Sequence, residues 1–267
     1  MSMKKFHYLA ILFMVFVFAS CESNESNELS VFSVSANKKV TFSPGNLQYH
    51  PKNDKWRFAP NQYDCIGWDN KNISSNYDGW IDLFGWGTGN NPTNSSTFES
   101  KYQKFTDWGI NKIDGESPNA WRTLTYDEWY YLIFERPNSS MLWGIAQVVG
   151  VNGLILLPDN WVCPKRISFK SGSHEKIGEE YYAEYQNFNR IDWKKMEDAG
   201  AIFLPAADAR MGNFISFEQY RGFYWSSTCL GAEYAWSLCI MPFNVSFPEF
   251  NTNVASGLSV RLVQDVK

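Results

Sequence analysis

Apolar residues run unbroken over positions 8–18, with Lys4 and Lys5 before them and the small residues Ala19 and Ser20 directly ahead of Cys21. A basic start, an apolar middle and a small-residue end is the order of an export signal. As a helix the run spans only roughly 16 Å, short of the ~30 Å hydrocarbon core, so the pattern predicts a cleaved leader over residues 1–20, not a membrane span. Residues 22–30 have no apolar periodicity and, with Cys21, form the predicted flexible tether, residues 21–30. From residue 31 short strand-like runs follow at 31–34, 38–42, 47–50 and 56–59. Ala36-Asn37, Pro44-Gly45 and residues 51–54 punctuate them, which predicts an opening antiparallel meander.

Residues 64–116 are rich in Gly, Asn, Ser and Trp and keep neither helical nor alternating period, so they predict long loops packed through their own tryptophans. Helical spacing predicts one helix over 126–135 and a shorter one over 192–198 ending near Gly200, each followed by a strand, at 154–157 and 201–204. Runs at 222–226, 234–240, 244–247 and 258–263 predict a terminal antiparallel sheet. The elements together are α+β, mostly antiparallel strands with two helices and long aromatic and Gly-rich loops.

Composition narrows the class. Aromatic residues make up 17% of the chain, which marks a folded core and not a disordered segment. Loss of Lys4 and Lys5 with the leader leaves 22 basic against 28 acidic residues, a charge of about −6, which disfavours a nucleic-acid partner. Roughly 245 mature residues suffice for one large domain or two small ones. Cys21, following the small residues, is the predicted lipid-bearing residue; several lipid chains on it would give durable anchoring. Four cysteines remain, Cys65, Cys163, Cys229 and Cys239, and an exported compartment permits disulfides. Cys229 and Cys239, flanking a predicted hairpin, are the best candidate pair; four free buried thiols are the alternative.

The most specific stretch is Trp121-Arg122-Thr123-Leu124-Thr125-Tyr126-Asp127-Glu128-Trp129, where Thr125 and Glu128 have capping-box spacing. It resembles the Trp-Arg-Leu-Pro-Thr-x-x-Glu-Trp signature of the formylglycine-generating-enzyme branch of C-type-lectin-like folds, a branch with many non-enzymatic relatives, and departs from it at Thr123 and Leu124. Gly257-Leu258-Ser259-Val260-Arg261-Leu262-Val263 resembles that superfamily's closing strand, which returns beside the amino-terminal strands. Gly222-Phe223-Tyr224-Trp225-Ser226-Ser227 and Tyr234-Ala235-Trp236 resemble its ligand-bearing strand pair. Phe42-Ser43-Pro44-Gly45-Asn46-Leu47-Gln48-Tyr49, residues 79–87 and Leu204-Pro205-Ala206-Ala207 resemble lipoproteins of Gram-negative gut bacteria, some of which are targets of diversity-generating retroelements. The resemblance covers roughly residues 31–263 and implies a C-type-lectin-like domain over 31–267. It also implies that Trp121, Arg122, Thr125, Glu128, Trp129, Trp225 and Arg261 serve as scaffold.

Candidate chemistry is sparse. Outside the leader only His50 and His174 remain, both in polar, turn-like contexts that predict surface positions, so neither a Ser-His-Asp triad nor a two-histidine metal site is supplied. No Cys-x-x-Cys, phosphate-loop or dinucleotide fingerprint occurs. Enzymes of the resembling superfamily use two late cysteines, a part only Cys229 and Cys239 could take here. Calcium-binding lectins use Glu-Pro-Asn or Gln-Pro-Asp with Trp-Asn-Asp, and neither tripeptide is present. Trp68-Asp69-Asn70 and Pro158-Asp159-Asn160 read as turns, and no metal or other cofactor is predicted. The remaining candidate site is the tail over 227–253, where Ser227, Glu233, Tyr234, Trp236, Asn244, Glu249, Phe250, Asn251 and Asn253 mix rings with amides and carboxylates as adaptable binding surfaces do. The expected function is non-catalytic binding of an extracellular protein or glycan by a lipid-anchored outer-membrane protein displayed at the cell surface, with the periplasmic face as alternative. A structural envelope lipoprotein and a cysteine-dependent oxidase are the other readings.

Overall fold

The computed structural model describes residues 30–93, 104–172, 186–216, 219–241, 245–246 and 251–267. Cys21, most of the tether, His174, Asn244, Glu249 and Phe250 lie outside these residues, and only the backbone of Asn251 is described.

β1 (Phe32–Ser35) and β2 (Lys38–Phe42) form one hairpin, and β3 (Leu47–His50) and β4 (Lys55–Phe58) a second. The predicted continuous meander is corrected here, because β2 and β3 do not pair with each other. The amides of Ser43 and Leu47 donate instead to the carbonyls of Leu262 and Val260, so the carboxyl-terminal segment runs where a β2–β3 ladder would lie. Gly45 lets the turn between β2 and β3 lie against the chain after β4: a Cβ there would sit 2.4 Å from the Ala59 carbonyl oxygen.

β5 (Arg122–Thr123) leads into α1 (Tyr126–Tyr130), extended by a π-helical turn, Tyr131–Glu135. β6 (Trp143–Val148) and β7 (Val151–Leu156) follow as a hairpin, then β8 (Gln186–Phe188), α2 (Arg190–Asp198) and β9 (Ile202–Pro205). No alternation marks β6, since five of its six residues are buried and both faces are covered. α2 is capped by Asn189, whose Oδ1 accepts from the Ile191 and Asp192 amides, and closes at Gly200 with φ 93°. β10 (Ala209–Met211) pairs with β11 (Phe214–Ser216); β12 (Gly222–Cys229), β13 (Tyr234–Ile240), β14 (Val245–Ser246) and β15 (Asn251–Asn253) form the tail sheet; β16 (Leu262–Asp265) closes the chain. The fold is α+β and mostly antiparallel, with β8 parallel to β6.

β16 inserts between β2 and β5, with Val263 opposite both Phe42 and Arg122, which joins the two chain ends in the sheet β1-β2-β16-β5. Its run therefore leaves the tail sheet in which the pattern placed it. Leading into β16, Leu258, Val260 and its first residue Leu262 belong to one core as alternation predicts, and Ser259, Arg261 and Val263 on the other side are buried too.

The tail sheet is a wall between two cores. Tyr224, Leu238 and Ile240 face the core of β1, β2, α1, β6 and β7, whereas Trp225 and Ala235 face the core of β3, β4, Phe84, Trp86 and Trp108. A third core lies between α2 and β6–β9. The loop region over 79–87 ties the core of β3 and β4 together: Ile81 exchanges backbone hydrogen bonds with Tyr49, Phe84 with Leu258, and the Trp86 indole donates to the Ser226 carbonyl of β12. Gly109 lies so close to the Trp121 carbonyl that any side chain there would clash with it.

Candidate functional site

The signature segment builds a charged node at the amino end of α1. Thr125 Oγ1 accepts the Glu128 amide at 3.2 Å while Glu128 Oε2 accepts the Thr125 amide at 2.9 Å, a complete capping box. Arg122 grips Glu128 with both terminal nitrogens, at 2.7 and 2.9 Å, and reaches Asp265 of β16 at 2.7 Å; Lys38 adds a 2.9 Å contact to Glu128. Burial works against the charge on Glu128, but the hydrogen bonds from Arg122, the Thr125 amide and Lys38 hold its carboxyl below the usual range. The Arg122 hydrogen bond does the same for Asp265. A carboxylate so held is a poor general acid. Trp129 is fully buried against Phe42, and Trp121 is half-buried against Phe58.

Arg261 is buried, donating to Gln62 Oε1 at 2.6 Å and Asn46 Oδ1 at 3.3 Å, and Asn46 in turn donates to the Tyr224 hydroxyl at 3.1 Å. Burial brings its guanidinium down to about 10 against the opposing pull of Tyr224 and Glu197, so it stays charged at neutral pH. Gln62 also accepts from the Phe203 amide, so this network ties the closing segment to β9 and, through Tyr224, to the tail.

The predicted tail residues separate. Ser227 is bonded through its amide to the Leu124 carbonyl at 2.9 Å, and Thr228 Oγ1 accepts the Tyr126 amide at 3.0 Å, so this end of β12 braces α1. Asn253 uses Oδ1 to accept the Ala255 amide and form a turn. Glu233 and Tyr234 are exposed, and the half-buried Trp236 stacks on Tyr126 with ring centroids 4.9 Å apart. Tyr126 continues to Tyr130 at 6.0 Å and Tyr130 to Phe134 at 5.2 Å. The spacing of 126, 130 and 134 is the i, i+4 ladder of one helix face, a signal present in the sequence, but nothing local says that Trp236 extends it.

Two expectations are corrected. Cys229 and Cys239 do not form a disulfide: both are free, as are Cys65 and Cys163. Cys229 lies opposite Ala235 and Cys239 opposite Phe223, so the two occupy opposite ends of the hairpin, roughly 20 Å apart along the strand and far beyond the ~6 Å Cα separation of a disulfide. Burial pushes the Cys239 thiol up to about 12. His50 is not on the surface, because β3 is buried along its length and Trp80 covers the imidazole edge-on at 5.1 Å.

The two turn motifs use their oxygens internally. Asn70 Oδ1 accepts the amides of Asp82 and Leu83, and Asp159 accepts from Ser33 and Arg136. Among the described residues no cluster of His, Cys, Asp and Glu could hold a metal ion. Asp82 is fully buried, and burial raises its carboxyl to about 6 despite hydrogen bonds from the Ile66 amide and Asn70. Its stabilising contribution is complete below about pH 4 and is lost as pH rises through about 6, a swing of about 3 kcal/mol. Urea unfolding of Asp82→Asn and the parent at pH 4, 5, 6 and 7 is expected to show the parent losing ground to the variant across this window. A stability difference independent of pH would contradict it.

Comparison with protein-family models, curated proteins and solved structures finds no match.

Proposed function

We propose that the chain is an outer-membrane lipoprotein anchored through Cys21, whose C-type-lectin-like domain is displayed at the cell surface and binds an extracellular protein or glycan without catalysing a reaction. The observation that carries this reading is the aromatic column Trp236-Tyr126-Tyr130-Phe134 with Tyr234 close by. Tyr126, Tyr130 and Trp236 are half-buried in it while Phe134 and Tyr234 are exposed, on a backbone held by the node and the closing strand. The resemblance of Gly222 to Ser227 and Tyr234 to Trp236 to a ligand-bearing strand pair supports the same location.

Screening the protein and Trp236→Ala on glycan and protein arrays tests it. The variant is expected to lose at least about tenfold in affinity for ligands of the parent, as anchoring aromatic residues do, while remaining folded. Ligands that bind both proteins equally would refute the assignment. Protease shaving of intact cells checks display. The oxidase alternative required Cys229 and Cys239 as neighbours, and their places in the hairpin do not supply that pair.

A further inference from the structure

On the opposite face of the tail sheet, a half-open cavity of about 310 Å³ lies between the β10–β11 hairpin, the start of β12 and the turn after β15. Its volume is at the small end of small-molecule pockets, roughly 300–1,000 Å³. Phe223 and Leu258 supply apolar lining continuous with the core behind them, and Met211, 44% exposed, stands at the rim. Backbone pairings Asp208 with Gly222 and Arg210 with Gly257 hold the walls in place.

Two charges line it, and they differ in availability. The Asp208 carboxylate is buried and already accepts the Gln219 amide at 2.6 Å and the Arg221 amide at 3.1 Å. Arg221 is exposed, and among the described residues its guanidinium makes no hydrogen bond and no ion pair. It lines the cavity together with Phe223, two positions further along the chain. A planar five-donor cation beside an apolar wall matches a carboxylate carried on a hydrocarbon or aromatic body.

We infer that this cavity is a second binding site, for a small molecule with an apolar body and a single carboxylate, which Arg221 receives at the mouth while the body lies on Phe223 and Leu258. The inference is independent of the recognition proposed above, because β13 alternation puts Trp236 and this cavity on opposite faces.

Titration calorimetry of the full-length chain in a non-ionic detergent, with 3-phenylpropanoate, 3-phenylpropanamide and 3-phenylpropylamine, tests it. The acid is expected to bind at least tenfold tighter than the amide or the amine. Arg221→Gln brings the acid to the amide's affinity with an unchanged thermal midpoint, and Ser216→Trp, which fills the cavity, abolishes binding of both. Equal affinity for acid and amide overturns the inference, as does preference for the amine, which would make Asp208 the dominant charge. Unaltered acid preference in Arg221→Gln, unaltered binding in Ser216→Trp, or no saturable binding by the acid overturns it as well.

Discussion

Replacing Trp225 with Ala is expected to destabilise the protein by about 4 kcal/mol, read as a fall of roughly 8–16 °C in thermal midpoint for a domain of this size. The ring is 1% exposed and belongs to the core on one side of the tail sheet, so its removal leaves a cavity that its neighbours there must collapse into. Its indole nitrogen also donates to the Phe84 carbonyl at 2.7 Å, a hydrogen bond that is lost with the ring while that carbonyl keeps the Leu258 amide. Trp225→Phe separates the two effects: it keeps most of the volume and forfeits only the hydrogen bond, for a loss of about 0.5–1.5 kcal/mol. Differential scanning calorimetry measures both. A change below about 1 kcal/mol in Trp225→Ala would show that this side of the sheet is not the packed wall described above.

The second large effect is expected at Arg122, whose fork ties the first turn of α1 to the final strand. In Arg122→Gln, Glu128 keeps Lys38 and the Thr125 amide but loses both guanidinium hydrogen bonds, at a cost of about 2–4 kcal/mol near neutral pH. Asp265 contributes little to that figure because its side chain is half exposed. The sign with pH follows from the direction of the shifts. Both carboxyls titrate below their unfolded values, so the stability they contribute is present above about pH 4 and disappears as pH falls through the depressed folded values. The acid-unfolding midpoint of the variant, followed by tryptophan fluorescence, should move to higher pH. The gap between variant and parent should narrow below about pH 4. Coincident acid transitions would mean that Arg122 does not stabilise these carboxylates. Asp82 acts in the opposite direction, gaining from protonation, so the parent's pH profile combines two terms of opposite sign that the two variants resolve.

The α1 cap was readable because all its partners fall within four residues, where helix geometry alone dictates which side chains meet. The same holds for Leu258, Val260 and Leu262, whose alternation needs only the pleat of a strand. α2 with its Gly200 terminus is another local case. The long aromatic and Gly-rich stretch was legible as loops packed through tryptophan, though not as to what it touches: Trp86 finds the Ser226 carbonyl 140 residues away, and the Phe84 carbonyl receives the Trp225 indole from 141 residues away.

Elsewhere the local pattern pointed to the wrong neighbour. The opening runs suggested one meander, but the backbone donors that would have completed it serve residues 260 and 262. Cys229 and Cys239 are ten positions apart on one hairpin, and it took the register to show them at its two ends. His50 sits in a polar sequence context and is covered by Trp80 thirty residues later. β6 gave no alternation because neighbours on both sides remove the need for a polar face.

From the sequence alone come the α+β class, the two helices with the α1 capping box and the Gly200 terminus of α2, and the alternating strand that ends the chain. Each depends on backbone geometry repeating over two to four residues, which any stretch of chain carries within itself. Tertiary structure alone decided that β16 lies between β2 and β5, that Trp236 lengthens the ring column of α1, and that Arg221 and Phe223 share a cavity with the turn after β15. Those neighbours depend on strand order and on which face of the tail sheet meets which core. Many distant segments set them jointly through burial, and no local period encodes them.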